Sequence, residues 1–254
     1  MTASGKQQRQ SRLLEILKSS GYERIEDLSQ KLSVSEQTIR RDINMLDVEG
    51  RLRRTHGGAA YVGALNSEDY LLRRQESADV KQRIGYKVAS LVEDGASVFI
   101  DAGTTCEAVA SALNQRRDLK IVTYSLAAAM LLKDRRDFTV AIPGGFVRHV
   151  DASVFGEPTS DFISRFRFDI SIISVSGIEP DGEMSDDDHW EVSNVESAMK
   201  RSRKTLLAVD SSKYQKGGMV TLGNITSMDV MVSDALPEEP LRQLILDNLE
   251  FHQA

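Results

Sequence analysis

Cysteine is almost missing from this sequence. Cys106 is the only one in 254 residues, which excludes an intramolecular disulfide and with it the stapled scaffolds of small secreted proteins. Proline is scarce, at five residues, and the chain carries neither an internal repeat nor a low-complexity tract. No apolar run approaches the ~20 residues that a membrane-spanning helix needs. The amino-terminal MTASGKQQRQSR has no apolar centre of the kind a signal peptide carries, so a cytoplasmic location is expected. What remains is the composition of a soluble globular protein, 41% hydrophobic and 28% charged. The length exceeds a typical single domain and falls short of three, which predicts two unequal domains.

The net charge of -6 is unevenly spread. Residues 1–60 carry 11 Lys and Arg against 8 Asp and Glu, whereas residues 61–254 carry 21 against 30. A basic head on an acidic body points to a local polyanion-binding module.

Within that head, Leu13, Leu14, Ile16 and Leu17 recur at helical spacing and predict a helix over about 7–20, stopped at Gly21. A shorter one over about 24–31 faces the same core through Ile25 and Leu28. A third begins after Ser35, a good N-cap, with Val34 placed to pack on Ile39 as a staple. At 100° per residue Ile39, Ile43 and Leu46 fall on one side, and Gln37, Arg40, Arg41 and Asn44 on the other. The apolar side docks, leaving side chains whose geometry matches the guanine and adenine edges of the major groove. Next, RLRRTHGGAA at 51–60 predicts two short strands with a turn at Gly57 and Gly58, and Arg51, Arg53, Arg54 and His56 supply charge for phosphates. The head is thus read as a winged helix-turn-helix over residues 1–60.

The segments V-S-E-Q-T-I-R-R-D-I-N-M-L at 34–46 and R-T-H-G-G-A at 54–59 resemble the DNA-binding signature of the DeoR family of bacterial transcriptional regulators. The resemblance implies a repressor whose DNA head is joined to a sugar-phosphate-sensing domain. It places Ser35, Gln37, Thr38, Arg40, Arg41 and Asn44 of the recognition helix, with Arg54 and His56 of the wing, at the DNA.

Residues 61–78 have no clean period and are expected as a linker. From Asp79 onward a helix over about 79–93 precedes strand candidates at 97–100, 120–125, 139–145, 168–178, 204–212 and 228–235. Helical stretches near 104–115, 125–134, 157–166, 189–202 and 238–249 separate them. That alternation predicts an α/β domain with a largely parallel sheet over 79–254. Ligands of such sheets gather at the carboxyl ends of the strands. The first strand ends in Asp101-Ala-Gly103-Thr104-Thr105 and opens a helix, whose amides make an anion site. Ser125, Gly144, Gly145, Arg148 and Lys213 follow later strands. Together they make a pocket for a phosphorylated polyol, with amides and a cation for the phosphate and hydroxyl or carboxylate partners for the carbon chain.

This order of pieces resembles the effector domain of the same family, which is similar in fold to ribose-5-phosphate isomerase. Within that likeness D-A-G-T-T at 101–105, P-G-G at 143–145, Gly156, S-G-I at 176–178, Glu191 and D-S-S-K at 210–213 are the matching positions. The run G-E-P-T-S-D-F-I-S-R-F-R-F-D at 156–169 and the later D-D-H-W-E-V resemble the glycerol-3-phosphate branch. One position departs: Tyr124 stands where family members often have Asn.

An isomerase carrying a DNA head is the alternative. Proton shuttling needs a positioned carboxylate base, yet the strand at 168 continues Ser174-Val-Ser-Gly-Ile178 with no acid until Glu179. Binding without turnover is therefore expected, with no catalytic residue, cofactor or metal. The Asp186–His189 run is read as charge complementing a helix start, and Cys106 and Trp190 as packing residues. His149 and His252 have no recognisable ligand partners. The expected partners are operator DNA and a phosphorylated sugar or polyol, with the protein a dimer or tetramer.

Overall fold

The computed structural model describes residues 3–20, 22–48, 51–55, 57–60, 67–148, 150–155 and 158–254. Gly21, His56, His149, Gly156 and residues 61–66 lie outside the described residues. The chain divides into two compact units, Met1–Asn66 and Ser67–Ala254.

The smaller unit runs α1 (Ala3–Ser20), β1 (Tyr22–Arg24), α2 (Ile25–Lys31), α3 (Glu36–Val48), β2 (Arg53–Thr55) and β3 (Gly58–Ala60). Its core is Leu13 and Leu17 of α1, Ile25 and Leu28 of α2, and Ile39, Ile43 and Leu46 of α3, closed by Leu52 and Ala59. These are the apolar positions of the three helical stripes, and burying them stabilises α2 and α3, which at 7 and 13 residues would be marginal alone. Ser35 caps α3, its hydroxyl accepting from the Thr38 amide at 3.3 Å, and Val34 packs against the core. β2 and β3 form the expected hairpin; Gly57, whose φ of 90° lies in the left-handed region, is in its turn, whereas Gly58, also expected there, is already paired with Thr55 as the first residue of β3. β1 adds to its other side, giving the order β1-β3-β2. Three residues are too short to carry a readable period, which is why β1 leaves no trace in the pattern.

The larger unit opens with α4 (Ser67–Gln75) and α5 (Ala78–Ser90). The segment 67–75, expected as part of a linker, is therefore a helix, and its Tyr70 is buried. There follow β4 (Ser97–Ile100), α6 (Thr104–Leu113), β5 (Lys120–Thr123), α7 (Leu126–Leu132), β6 (Thr139–Ala141), β7 (Phe146–Val147), β8 (Val154–Phe155) and α8 (Pro158–Ser164). The chain continues through β9 (Phe168–Ile173), β10 (Gly177–Ile178), β11 (Glu183–Asp186), α9 (His189–Met199), β12 (Ser202–Ala208), β13 (Val220–Asn224), β14 (Val230–Ser233), α10 (Leu241–Asn248) and β15 (Glu250–Gln253).

Seven strands form one parallel sheet in the order β15-β14-β12-β9-β4-β5-β6. Both faces are covered, as a parallel sheet requires. Val98 and Ile100 of β4 pack under α5, α6 and α7, while Phe99 between them points into the core beneath α8, α9 and α10. The six expected strands are all present. The segment 168–178 divides, however, into β9 and a β10 that leaves the main sheet to pair antiparallel with β11, which in turn pairs with β13. The seventh strand, β15, follows α10, the helix expected near 238–249; among the described residues only β14 pairs with it, so its burial signal is one-sided and weak.

Candidate functional site

On α3, Gln37, Arg40, Arg41 and Asn44 are exposed and Thr38 is half-buried, while Ile39 and Ile43 are fully buried. Arg40 pairs with Glu36 one turn back at 3.3 Å. Arg54 of β2 donates to the Asn44 side chain at 3.0 Å, and its own amide donates to Asp47 at 2.9 Å. Wing and helix are thereby tied together at the residue expected to read a base. The pattern of exposed residues had not revealed Asp42. It is buried on α3 and accepts from Arg9 Nε at 2.6 Å and Gln10 Nε2 at 3.1 Å, fastening α1 to the recognition helix.

In the larger unit the strand-end residues converge. Gly103 has φ 107° and begins α6 without any side-chain cap, so no capping side chain takes up the first amides of that helix. Thr105 is buried and Thr104 half-buried on the same turn. Asp101, at the end of β4, is 3% exposed. Its carboxylate accepts from the Tyr124 hydroxyl, the Ala102 amide at 2.8 Å and the Ser174 amide at 3.2 Å. Burial pushes the Asp101 carboxyl up to about 7, against the pull of the Tyr124 hydrogen bond. Tyr124, which departs from the family pattern, is thus the side chain that fastens Asp101.

Arg148 has more partners than a strand-end cation for phosphate would. Its Nε donates to Asp151 at 2.8 Å and Nη1 to Asp188 at 3.0 Å, and Nη2 reaches both Asp151 and Glu191. Its guanidinium also stacks over Phe155, 4.5 Å from the ring centre. Three carboxylates share one cation, and they cannot all ionise at equal cost. Burial acts against ionisation of Asp151, but the hydrogen bonds from Arg148 and Ser153 outweigh it and hold that carboxyl down. Glu191 is pushed up to about 8 by burial and by Asp186 and Asp188, with Arg148 opposing. Asp188 caps α9, accepting from the Trp190 amide at 2.8 Å. Asp186 accepts from Ser176 Oγ at 2.7 Å.

Ser125 accepts from the Ala128 amide as the cap of α7. Gly145 lies where a Cβ would come within 2.4 Å of the Phe155 carbonyl, so packing of the β7–β8 hairpin already accounts for glycine there. Gly144 is exposed. Cys106 is buried, and burial pushes its thiol up, away from the thiolate a redox role requires. Trp190 is half-buried against the core beneath α9.

Lys213, in the 3-10 turn Ser211–Lys213 that follows β12, is half-buried. Burial lowers its ammonium, Arg73 lowers it further, and Asp210 and Asp186 work against both. Lys81 is 6% exposed and lowered by burial, with Lys213 and Arg73 again repelling it. Arg73 keeps a buried Nε with no acceptor. Arg73 and Lys81 were not legible as site residues, since one falls in the presumed linker and the other on a helix with an ordinary amphipathic pattern. Three cations therefore gather near Asp210 and Asp186, and Asp186 in turn lies near Asp101 at the end of β4 and Glu191 on α9. β4 and β12 flank β9, so their carboxyl ends lie about 10 Å apart at the usual strand spacing.

The profile described as "DeoR C terminal sensor domain" matches residues 76–235, and that of the "DeoR-like helix-turn-helix domain" matches residues 9–64. The chain belongs to the DeoR family. A DeoR-family relative, the glycerol-3-phosphate regulon repressor of Escherichia coli (strain K12), is 39% identical over 241 residues, 95% of this chain and 96% of its own. Its namesake in Haemophilus influenzae is 40% identical over 230 residues, 91% of this chain and 90% of its own. Among solved structures, ribose 5-phosphate isomerase A from Methanocaldococcus jannaschii superposes with a TM-score of 0.41 at 14% identity, over 56% of each chain. Among the described residues, no helix of this DeoR-family chain is long and apolar enough to cross a membrane.

Proposed function

We propose that this protein is a DNA-binding transcriptional repressor of a carbohydrate or polyol catabolic operon, released from its operator by a phosphorylated sugar or polyol, with glycerol 3-phosphate the leading effector. The observation that carries this is the 39–40% identity, over more than nine-tenths of the chain, to repressors of the glycerol-3-phosphate regulon. The exposed Gln37, Arg40, Arg41 and Asn44 face supports the DNA-binding half. The uncapped start of α6 and the grouping of Lys213, Lys81 and Arg73 support the effector half, because amides and cations together suit a phosphate. Asp101 and Glu191 offer hydrogen-bond partners to the hydroxyls of the carbon chain. The protein acts as a dimer or tetramer, since one recognition helix reads one half-site and paired half-sites need paired heads. A gel-shift on the gene's own upstream region, with glycerol 3-phosphate and a panel of other phosphorylated sugars and polyols, tests DNA, effector and sign of response together. A shift that no member of the panel reverses would leave a DNA-binding protein without the proposed switch.

Two pairs of variants test the assignments. Arg41→Ala should cost about 1–3 kcal/mol at one base position, through loss of a bidentate contact. Arg54→Ala should weaken every sequence and also relax discrimination at the base met by Asn44, which Arg54 holds in place. Binding measured against an operator and its single-base variants checks both; unchanged specificity in Arg41→Ala removes its base-reading role. Thr104→Ala and Lys213→Ala should leave operator binding intact and abolish release by the effector. A normal response in both would dispose of this pocket.

Asp101 and Glu191, both held up toward neutrality, are also what a proton-shuttling isomerase would need. Incubation with ribose 5-phosphate and its isomers separates the two readings, since the repressor is expected to bind without turnover.

A further inference from the structure

α4 begins at Ser67, directly after residues 61–66 that follow the DNA-binding unit's last strand. It is fastened to the sensing unit at two places. Tyr70 is 7% exposed and its hydroxyl donates to Glu107 Oε1, in the first turn of α6. Arg74 Nε lies 3.2 Å from the other oxygen of the same carboxylate. At the far end of α4 the Lys81 ammonium donates to the carbonyls of Arg73 and Glu76, the latter at 2.8 Å. A buried cation spent on helix-terminal carbonyls is the C-terminal counterpart of an N-cap. Between these two fastenings Arg73 reaches the cation cluster with Lys213, its Nε buried and without an acceptor.

We propose that α4 is the lid of the effector pocket, latched by Tyr70 to Glu107, and that its docking carries occupancy of the pocket to the DNA-binding unit. This rests on the effector reading of the strand-end site. Without ligand, Arg73, Lys81 and Lys213 repel one another, and the attraction of Asp210 and Asp186 for Lys213 offsets only part of that repulsion. A phosphate at the uncapped start of α6 supplies the acceptor that Arg73 Nε lacks and draws α4 onto the helix where Glu107 already holds Tyr70. Anion binding and α4 docking then strengthen each other by the same factor. The seven steps of chain from Ala60 to Ser67 span at most about 25 Å, so fixing α4 restricts the reach of the DNA-binding unit. If effector favours the docked lid and releases operator, the operator-bound form is the one with the lid loosened.

The test is amide hydrogen exchange on the full chain, comparing wild type with Tyr70→Phe and Glu107→Gln, alone and with glycerol 3-phosphate or inorganic phosphate. Tyr70→Phe keeps the buried ring and removes only the hydroxyl. Without ligand, both variants should exchange residues 67–75 about ten-fold faster than wild type, as expected for one lost hydrogen bond to a carboxylate, with β4 and β5 unchanged. With anion, wild type should slow in both 67–75 and 104–107. In Tyr70→Phe the effector concentration that half-releases operator should rise about ten-fold by the same linkage, with operator affinity in its absence equal to or above that of wild type. Equal exchange of 67–75 in wild type and both variants overturns the latch. An anion that protects 104–107 and leaves 67–75 untouched overturns the lid while the effector reading stands. Protection of neither segment by either anion removes the effector reading and the lid with it.

Discussion

Replacing Arg148 with Ala should destabilise the larger unit by about 3–5 kcal/mol, the range for removing one partner from a buried ionic network. The side chains involved are well covered: Arg148 is 12% exposed, Asp151 and Asp188 each 5%, and Glu191 14%. Deleting the guanidinium leaves three carboxyls facing one another in a poorly hydrated site. They must then either take up protons or draw in water. The loss includes packing too, because Arg148 covers the face of Phe155. Arg148→Lys should recover only part of the stability, since a point charge cannot reproduce a fork that meets Asp151 and Asp188 on different nitrogens. Urea unfolding, followed by a probe confined to the larger unit, measures this. A change in Arg148→Ala below about 1 kcal/mol, typical of an exposed pair, would mean that the network is hydrated and contributes little. The same variant should lose the effector response, because Glu191 and the Asp188 cap of α9 would lose the cation that orients them.

The pH dependence of stability should be dominated by Asp101 and its neighbours. The Asp101 carboxyl sits at about 7 in the folded protein, against roughly 3.9 in an unfolded chain. Between those values the native state binds more protons than the unfolded state. Stability should therefore fall as pH rises from about 4 to about 7, the contribution being fully present below the lower value and lost above the upper. Three pH units correspond to about 4 kcal/mol for one such group, an upper figure. Asp186 at about 6, Glu107 at about 7 and Glu191 at about 8 slope the same way. Asp101→Asn should flatten the curve by Asp101's share. The amide cannot accept from both Ala102 and Ser174, which contact different oxygens, so the variant carries a penalty of about 1–3 kcal/mol. That penalty is independent of pH, and the slope is what distinguishes the two effects. Unfolding free energies of both proteins from pH 4.5 to 7.5 provide the test; parallel curves would show that Asp101 is ionised throughout.

How much of this was legible in the residues depends on the range of the interaction. The recognition helix was readable because Ile39, Ile43 and Leu46 report burial by their spacing, and the residues left over define the opposite face without further information. Ser35 and Gly57 were readable because caps and turns are local. The strand ends at Asp101 and Lys213 could be named because an α/β order dictates where ligands gather. Asp42 was missed because a carboxylate among polar neighbours looks exposed, and its partners Arg9 and Gln10 lie about thirty residues away. Arg148 stood out as a strand-end cation, but its carboxylates come from a neighbouring turn and from α9.

The sequence by itself determined the two-part plan, the α/β order of the second unit and the chemistry of the DNA-facing helix, since each rests on periodicity or on contacts between near neighbours. Only the tertiary structure decided that the segment after the wing is a helix docked through Tyr70 on Glu107, and that Arg73 and Lys81 join Lys213. It also decided that Arg148 is held among three acids. Those relations join positions remote in sequence, where residue type is uninformative until burial changes the cost of each charge and supplies the partner that offsets it.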